Sequence, residues 1–187
     1  MIHPTSLFLL TVLGALPHPS TTALAQNISI PSALTIRTTS GIYTGLIDPS
    51  VPDVKQWLGI RYGQPPLGTK RFLPPSPAVD PDTHYYARQY QPICFQQSGS
   101  HTGLFWELVP EFQNQDPQGE DCLFLNVWAP DVKGVGGKEG KEGRDGLLPV
   151  LIWACGGGLQ EGGGHAPYQV PDRWVQRTKT HVVITFK

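Results

Sequence analysis

Residues 147–164 constrain this chain more than any other stretch: Leu-Leu-Pro-Val-Leu-Ile-Trp-Ala-Cys-Gly-Gly-Gly-Leu-Gln-Glu-Gly-Gly-Gly. The apolar run Val150–Ala154 stops at three consecutive glycines, Gly156, Gly157 and Gly158. A run that is apolar on both faces predicts a strand buried within an open sheet. Glycines at its carboxyl end let the backbone turn sharply and leave peptide N–H groups uncovered. In an α/β sheet, ligands bind in the crevice beyond the strand ends, and bare amides aimed there can stabilise a developing oxyanion. For glycines alone, a flexible loop is the simpler reading. The order of the flanking segments decides between the two.

Those segments alternate between strand and coil. Residues 34–38 and 42–47 are β-prone runs split by Thr39-Ser40-Gly41, which predicts a hairpin. Residues 56–62 add a third strand, and the three together predict a small antiparallel N-terminal sheet. Residues 64–82 carry Pro65-Pro66, Pro74-Pro75, Pro77 and Pro81 and read as extended surface coil rather than as a proline-motif ligand. Residues 84–119 are poorly periodic, with one helical turn near 103–109. In residues 120–130, Leu123, Leu125 and Val127 alternate with Phe124, Asn126 and Trp128, giving a strand with both faces partly covered. Residues 131–146 are Gly-, Lys-, Glu- and Asp-rich, a solvated excursion joining two strands.

Residues 171–176 predict a short helix with Asp172 near its positive end. Residues 182–186, Val-Val-Ile-Thr-Phe, predict a strand. The interval from Gly156 to His181 is long enough for a crossover, so this strand and Val150–Ala154 are expected side by side and parallel. With only Lys187 beyond it, residues 182–186 are expected to lack a neighbour on one side and to expose an apolar edge.

The amino terminus reads as a targeting signal. Residues 7–16 are an apolar core, and Ala23-Leu24-Ala25 supplies the small-x-small cleavage site, leaving Gln26 as the new terminus. The chain thus divides into a signal peptide, 1–25, and a mature part, 26–187. The apolar core is too short to span a bilayer, so secretion rather than anchoring is expected. Asn27-Ile28-Ser29 matches a glycosylation acceptor at Asn27. In an oxidising compartment the three cysteines, Cys94, Cys122 and Cys155, predict one bridge and one remaining thiol. Cys94 and Cys122 are the natural pair, since both flank loop sequence outside the apolar strand. Closing that loop is worth about 3–4 kcal/mol in the chain-entropy model. The cysteine spacing does not fit zinc, and no cofactor is implied. A formal net charge of −1 leaves no basic surplus for nucleic acid.

Three strings, taken in order, resemble the type-B carboxylesterases, the family of cholinesterases and secreted fungal lipases. They are Gly59-Ile60-Arg61-Tyr62-Gly63-Gln64-Pro65-Pro66 with Arg71-Phe72, then Glu120-Asp121-Cys122-Leu123-Phe124-Leu125-Asn126-Val127, then the triple glycine. The resemblance runs from Leu34 to Phe186. It implies an α/β fold of the α/β-hydrolase type, here incomplete: a small antiparallel sheet plus the first strands of the central sheet. It implies hydrolysis of small-molecule or lipid esters by a Ser–Glu/Asp–His triad in the complete protein. It also implies a Cys94–Cys122 disulfide, oxyanion-hole amides at Gly157 and Gly158, and structural roles for Glu120 and Asp121 opposite arginines.

Two departures from the family pattern matter. Cys155 stands where relatives carry His or Tyr before the glycines, and it reads as a small buried apolar residue rather than a nucleophile. The nucleophile elbow, Gly-x-Ser-x-Gly, occurs nowhere in these residues. The nearest string, Gly99-Ser100-His101-Thr102-Gly103, has its serine one place early. The expectation is an N-terminal portion of an ester hydrolase, inactive alone. The alternative is a non-catalytic secreted binding or adhesion module of the same fold.

Overall fold

The computed structural model describes residues 32–97, 103–109, 117–131, 147–158 and 161–186. The signal peptide, Asn27, Ser100 and the excursion beyond Asp131 lie outside the described residues.

Among the described residues, ten strands and two α-helices follow in chain order. β1 (Thr35–Thr38) and β2 (Gly41–Thr44) form the expected hairpin, with Thr35 opposite Thr44. β3 (Leu46–Ile47) and β4 (Val54–Arg61) come next, then β5 (His84–Tyr86) and β6 (Ile93–Cys94). α1 (Leu104–Leu108) is the single helical turn expected near 103–109. β7 (Gln118–Gly119), β8 (Phe124–Pro130), β9 (Val150–Ala154), α2 (Asp172–Thr178) and β10 (Val182–Phe186) complete the order.

The small sheet differs from expectation. Its order is β1-β2-β5, with β5 parallel to β2, and β4 is not in it. β4 joins instead a five-stranded sheet of order β3-β4-β8-β10-β9. The reason lies in burial: Val54, Gln56, Trp57, Leu58 and Ile60 are all buried, and only a strand covered on both faces can hide them together.

Two cores sit on opposite faces of that sheet. Val51, Val54, Leu58, Trp128, Val175 and Val183 form one, with Val175 brought in by α2. Tyr43, Trp57, Ile60 and Ala87 form the other, beneath the small sheet. Period-2 alternation alone would set Ile60 on the face of Leu58. A bulge between Leu58 and Ile60 moves Ile60 to the face of Trp57. Gly59 takes φ 84° there, and its N–H, freed from the ladder, donates to Asn126 Oδ1 at 3.0 Å.

β10 runs antiparallel to β8 and parallel to β9, with Val182 opposite Val150 and Phe186 opposite Ala154. The parallel pairing is as expected, but two other expectations are corrected. β10 is flanked on both sides, so it is no edge. β9 is the edge, and Val150, Ile152 and Trp153 are 54%, 64% and 47% exposed rather than buried. Among the described residues, no strand pairs with its outer side. Among the described residues, too, no helix is long and apolar enough to cross a membrane.

Candidate active site

Two parallel strands ending side by side set the position of the glycine turn. Cys155 N–H donates to Phe186 O at 3.3 Å, carrying the β9–β10 pairing one residue beyond the strand. There the chain leaves the sheet. Gly157 takes φ 153° and Gly158 φ 63°, and a Cβ on Gly157 would collide with the carbonyl of Glu161. The Gly157 carbonyl accepts from Glu161 N–H at 3.1 Å. Among the described residues, the N–H groups of Gly157 and Gly158 meet no acceptor, and both residues are exposed. Two uncommitted donors beyond the ends of parallel strands are a place where a negative oxygen can be held.

The return limb of the turn is tied down at two points. Gln96 grips the peptide of Gly162 from both sides: its Nε2 donates to Gly162 O at 2.9 Å, and its Oε1 accepts from Gly162 N–H. Two residues on, Asn126 Nδ2 reaches Gly164 O at 3.5 Å and Thr185 Oγ1 at 3.3 Å, while the Thr185 hydroxyl donates to Gly164 O. Asn126 and Thr185 are buried, on β8 and β10. His165 is buried too and stacks on Tyr90 with ring centroids 4.3 Å apart.

Cys94 and Cys122 form the expected disulfide. It closes around the short parallel pair of β6 and β7, in which Cys94 lies opposite Gly119. Immediately beyond, Asp121 takes both arms of the Arg61 guanidinium, Nη1 to Oδ1 at 2.5 Å and Nη2 to Oδ2 at 2.8 Å. The Asp121 carboxylate therefore pushes the Arg61 pKa up, although burial opposes it. Arg61 also lies 4.4 Å over the Phe124 ring, and Arg71 pairs with Glu120 at 3.0 Å. Both carboxylates thus have the structural partners expected of them.

Cys155 differs from expectation. It is half-buried rather than buried, because β9 is an edge strand. Its neighbour Tyr62 sits edge-on to Phe186, ring centroids 6.1 Å apart. Burial pushes the Tyr62 hydroxyl pKa up, and Cys155 pushes it the same way. Among the described residues, no group of three or more His, Cys, Asp or Glu side chains could hold a metal ion.

Residues 32–187 match the model of the carboxylesterase family. The chain belongs to that family. It is 34% identical over 151 residues to a chlorogenic acid esterase of Aspergillus niger, covering 81% of this chain and 28% of that protein. It is 35% identical over 163 residues to secreted lipase 5 of Gibberella zeae, covering 82% of this chain and 29% of that one. A solved PNB esterase aligns with TM-score 0.62 at 27% identity, over 82% of this chain and 27% of its own. This carboxylesterase family chain therefore spans under a third of these relatives' lengths, and the sheets of its described residues are those of an incomplete α/β-hydrolase fold.

Sequence reasoning singled out the two glycines and the two cysteines but gave no role to Gln96, Asn126 or Thr185. Asn126 lay inside the quoted Glu-Asp-Cys string, where the strand pattern hid its function. Gln96 had no signal at all, since its partner is a backbone peptide 66 positions away.

Proposed function

We propose that this chain is the oxyanion-binding portion of a carboxylic ester hydrolase whose nucleophile and proton-transferring pair lie outside these 187 residues. The observation that supports it is the glycine turn. Within a carboxylesterase family chain, it leaves two N–H groups without an acceptor among the described residues, at the carboxyl ends of paired parallel strands. In the whole protein, a serine oxygen attacks the ester carbonyl and its proton passes to a histidine. The carbonyl oxygen becomes negative between the amides of Gly157 and Gly158, with a third donor after the serine. Collapse expels the alcohol, which takes the proton from the histidine, and water then releases the acid. Each donor lost from such a hole costs about 100- to 1000-fold in rate.

The substrate is a small-molecule or lipid ester, and the protein acts outside the cell. Residues 1–25 serve as the export signal, and Asn27 is glycosylated. A relative described as a secreted lipase and the Cys94–Cys122 disulfide support that placement.

Purified 187-residue chain is expected to hydrolyse a p-nitrophenyl ester no faster than buffer. The same chain extended through a Gly-x-Ser-x-Gly elbow, the triad acid and the histidine hydrolyses it. Turnover by the 187 residues alone, abolished by a serine-directed phosphonate, would refute the proposal. The competing reading, a non-catalytic binding module, predicts instead a stable monomer with a specific protein partner and no gain of hydrolysis on extension.

A further inference from the structure

We infer that Gln96 is a positioning residue that fixes the glycine turn, an inference that rests on the oxyanion reading above. A donor pair in an oxyanion hole works only if held still, because misplacement by a fraction of an ångström forfeits the preorganisation that lowers the barrier. Glycines supply no stiffness of their own, and Gly156, Gly157 and Gly158 have no side chains with which to anchor. The anchoring must come from elsewhere.

Gln96 provides it with a fully used amide. Its two Nε2 hydrogens go to Gly162 O at 2.9 Å and Cys94 O at 3.2 Å, and its Oε1 accepts the Gly162 N–H. Gly162 in turn lies against Gly156: a Cβ on Gly162 would collide with the Gly156 carbonyl, and its third-nearest neighbour would be Cys155 Sγ at 3.6 Å. Holding Gly162 therefore holds the outgoing limb at Gly156, where the turn begins. Gln96 is itself held. Its own N–H donates to Gln118 Oε1 at 3.1 Å, and it stands two residues from Cys94, whose disulfide ties this segment to Cys122. The brace runs from the disulfide, through one glutamine amide, to the oxyanion turn. Glutamate has the same shape but no donors, so it would set a carboxylate against two carbonyl oxygens.

Cys155 offers a direct readout, because it is the one cysteine of three outside the disulfide and it opens the turn. In the full 187-residue chain, the rate at which a disulfide reagent labels Cys155 reports opening of the turn. Gln96→Ala is expected to raise that rate about tenfold, and Gln96→Glu to raise it by a comparable factor, while peptides from β4, β8 and β10 keep wild-type hydrogen exchange. An unchanged labelling rate, or a rise accompanied by equally fast exchange in those strands, overturns the inference. In the chain extended to include the nucleophile, Gln96→Ala is expected to lower kcat about 10- to 100-fold with KM within about twofold. Faster labelling with unchanged kcat would keep the brace and reject the oxyanion reading, so the two fail separately.

Discussion

Arg61 and Asp121 show how a single pair joins two distant parts of the chain. The guanidinium at the end of β4 grips the carboxylate before β8 with two hydrogen bonds and lies on the Phe124 ring. With the side chains 24% and 43% exposed, solvent screens the pair. Asp121→Asn is therefore expected to cost about 1 kcal/mol, and Arg61→Ala about 2 kcal/mol because packing on Phe124 is lost as well. Urea denaturation of both variants checks the order. Equal losses would mean that the ring contact contributes nothing. At this scale the sequence was partly legible: the family resemblance implied that Asp121 faces an arginine without saying which one, whereas nothing marked the Gly59 bulge. One extra residue in β4 reverses which face Ile60 occupies, and no alternation pattern reveals where a register slips.

Among the elements, the small sheet carries a pH-sensitive tie. Tyr85, on β5, stacks on Tyr43 at 5.3 Å and donates to Asp80 Oδ2 at 2.7 Å, and Thr83 donates to the other oxygen. The bond to Tyr85, with help from Thr83, lowers the Asp80 pKa below its ordinary value. The same bond, with burial, raises that of Tyr85. A depressed carboxyl stabilises the fold above its ordinary value, near 3.8, and that contribution is lost as pH falls through the folded-state value. A raised phenol stabilises below its ordinary value, near 10.0, and is lost as pH rises through the folded-state value. Tyr85→Phe is expected to remove the Tyr85 share of the alkaline limb of the Tm-against-pH profile, leaving that of Tyr62, and to reduce the acid limb in part, since Thr83 still holds Asp80. An unaltered profile would show that the tie does not contribute to stability.

Strands and helices were legible in proportion to how local their cause is. The β1–β2 hairpin, α2 and the strands β9 and β10 follow from turn residues, an acidic first turn and apolar runs within a few positions. The third strand of the small sheet, His84–Tyr86, was missed because it is only three residues long, too short for an alternation to show although Tyr85 and Tyr86 suit a strand. Burial of β9 was misjudged for a different reason. An apolar run records what a strand is suited to lie between, not what the chain at hand places beside it.

For the molecule as a whole, that mismatch has a consequence. Among the described residues, β9 has no partner for one row of its backbone groups, and its side chains are exposed. Beside it, a 350 Å³ apolar groove opens between Leu151, Trp153, Tyr168, Trp174 and Val183. Such an edge pairs with other chains. The 187-residue chain is expected to self-associate and to bind an apolar dye strongly. Ile152→Lys, at a site 64% exposed, should shift it toward monomer by light scattering without loss of folded signal. Undiminished association of that variant would place the contact elsewhere.

On the proposed function, these 187 residues hold the electrostatic part of an ester hydrolase and not the covalent part. Intact-mass spectrometry of the 187-residue chain after treatment with a fluorophosphonate tests that division most directly. The unmodified mass is expected, since no Gly-x-Ser-x-Gly string occurs in these 187 residues. A stoichiometric phosphonyl adduct on any serine or on Cys155 would contradict it.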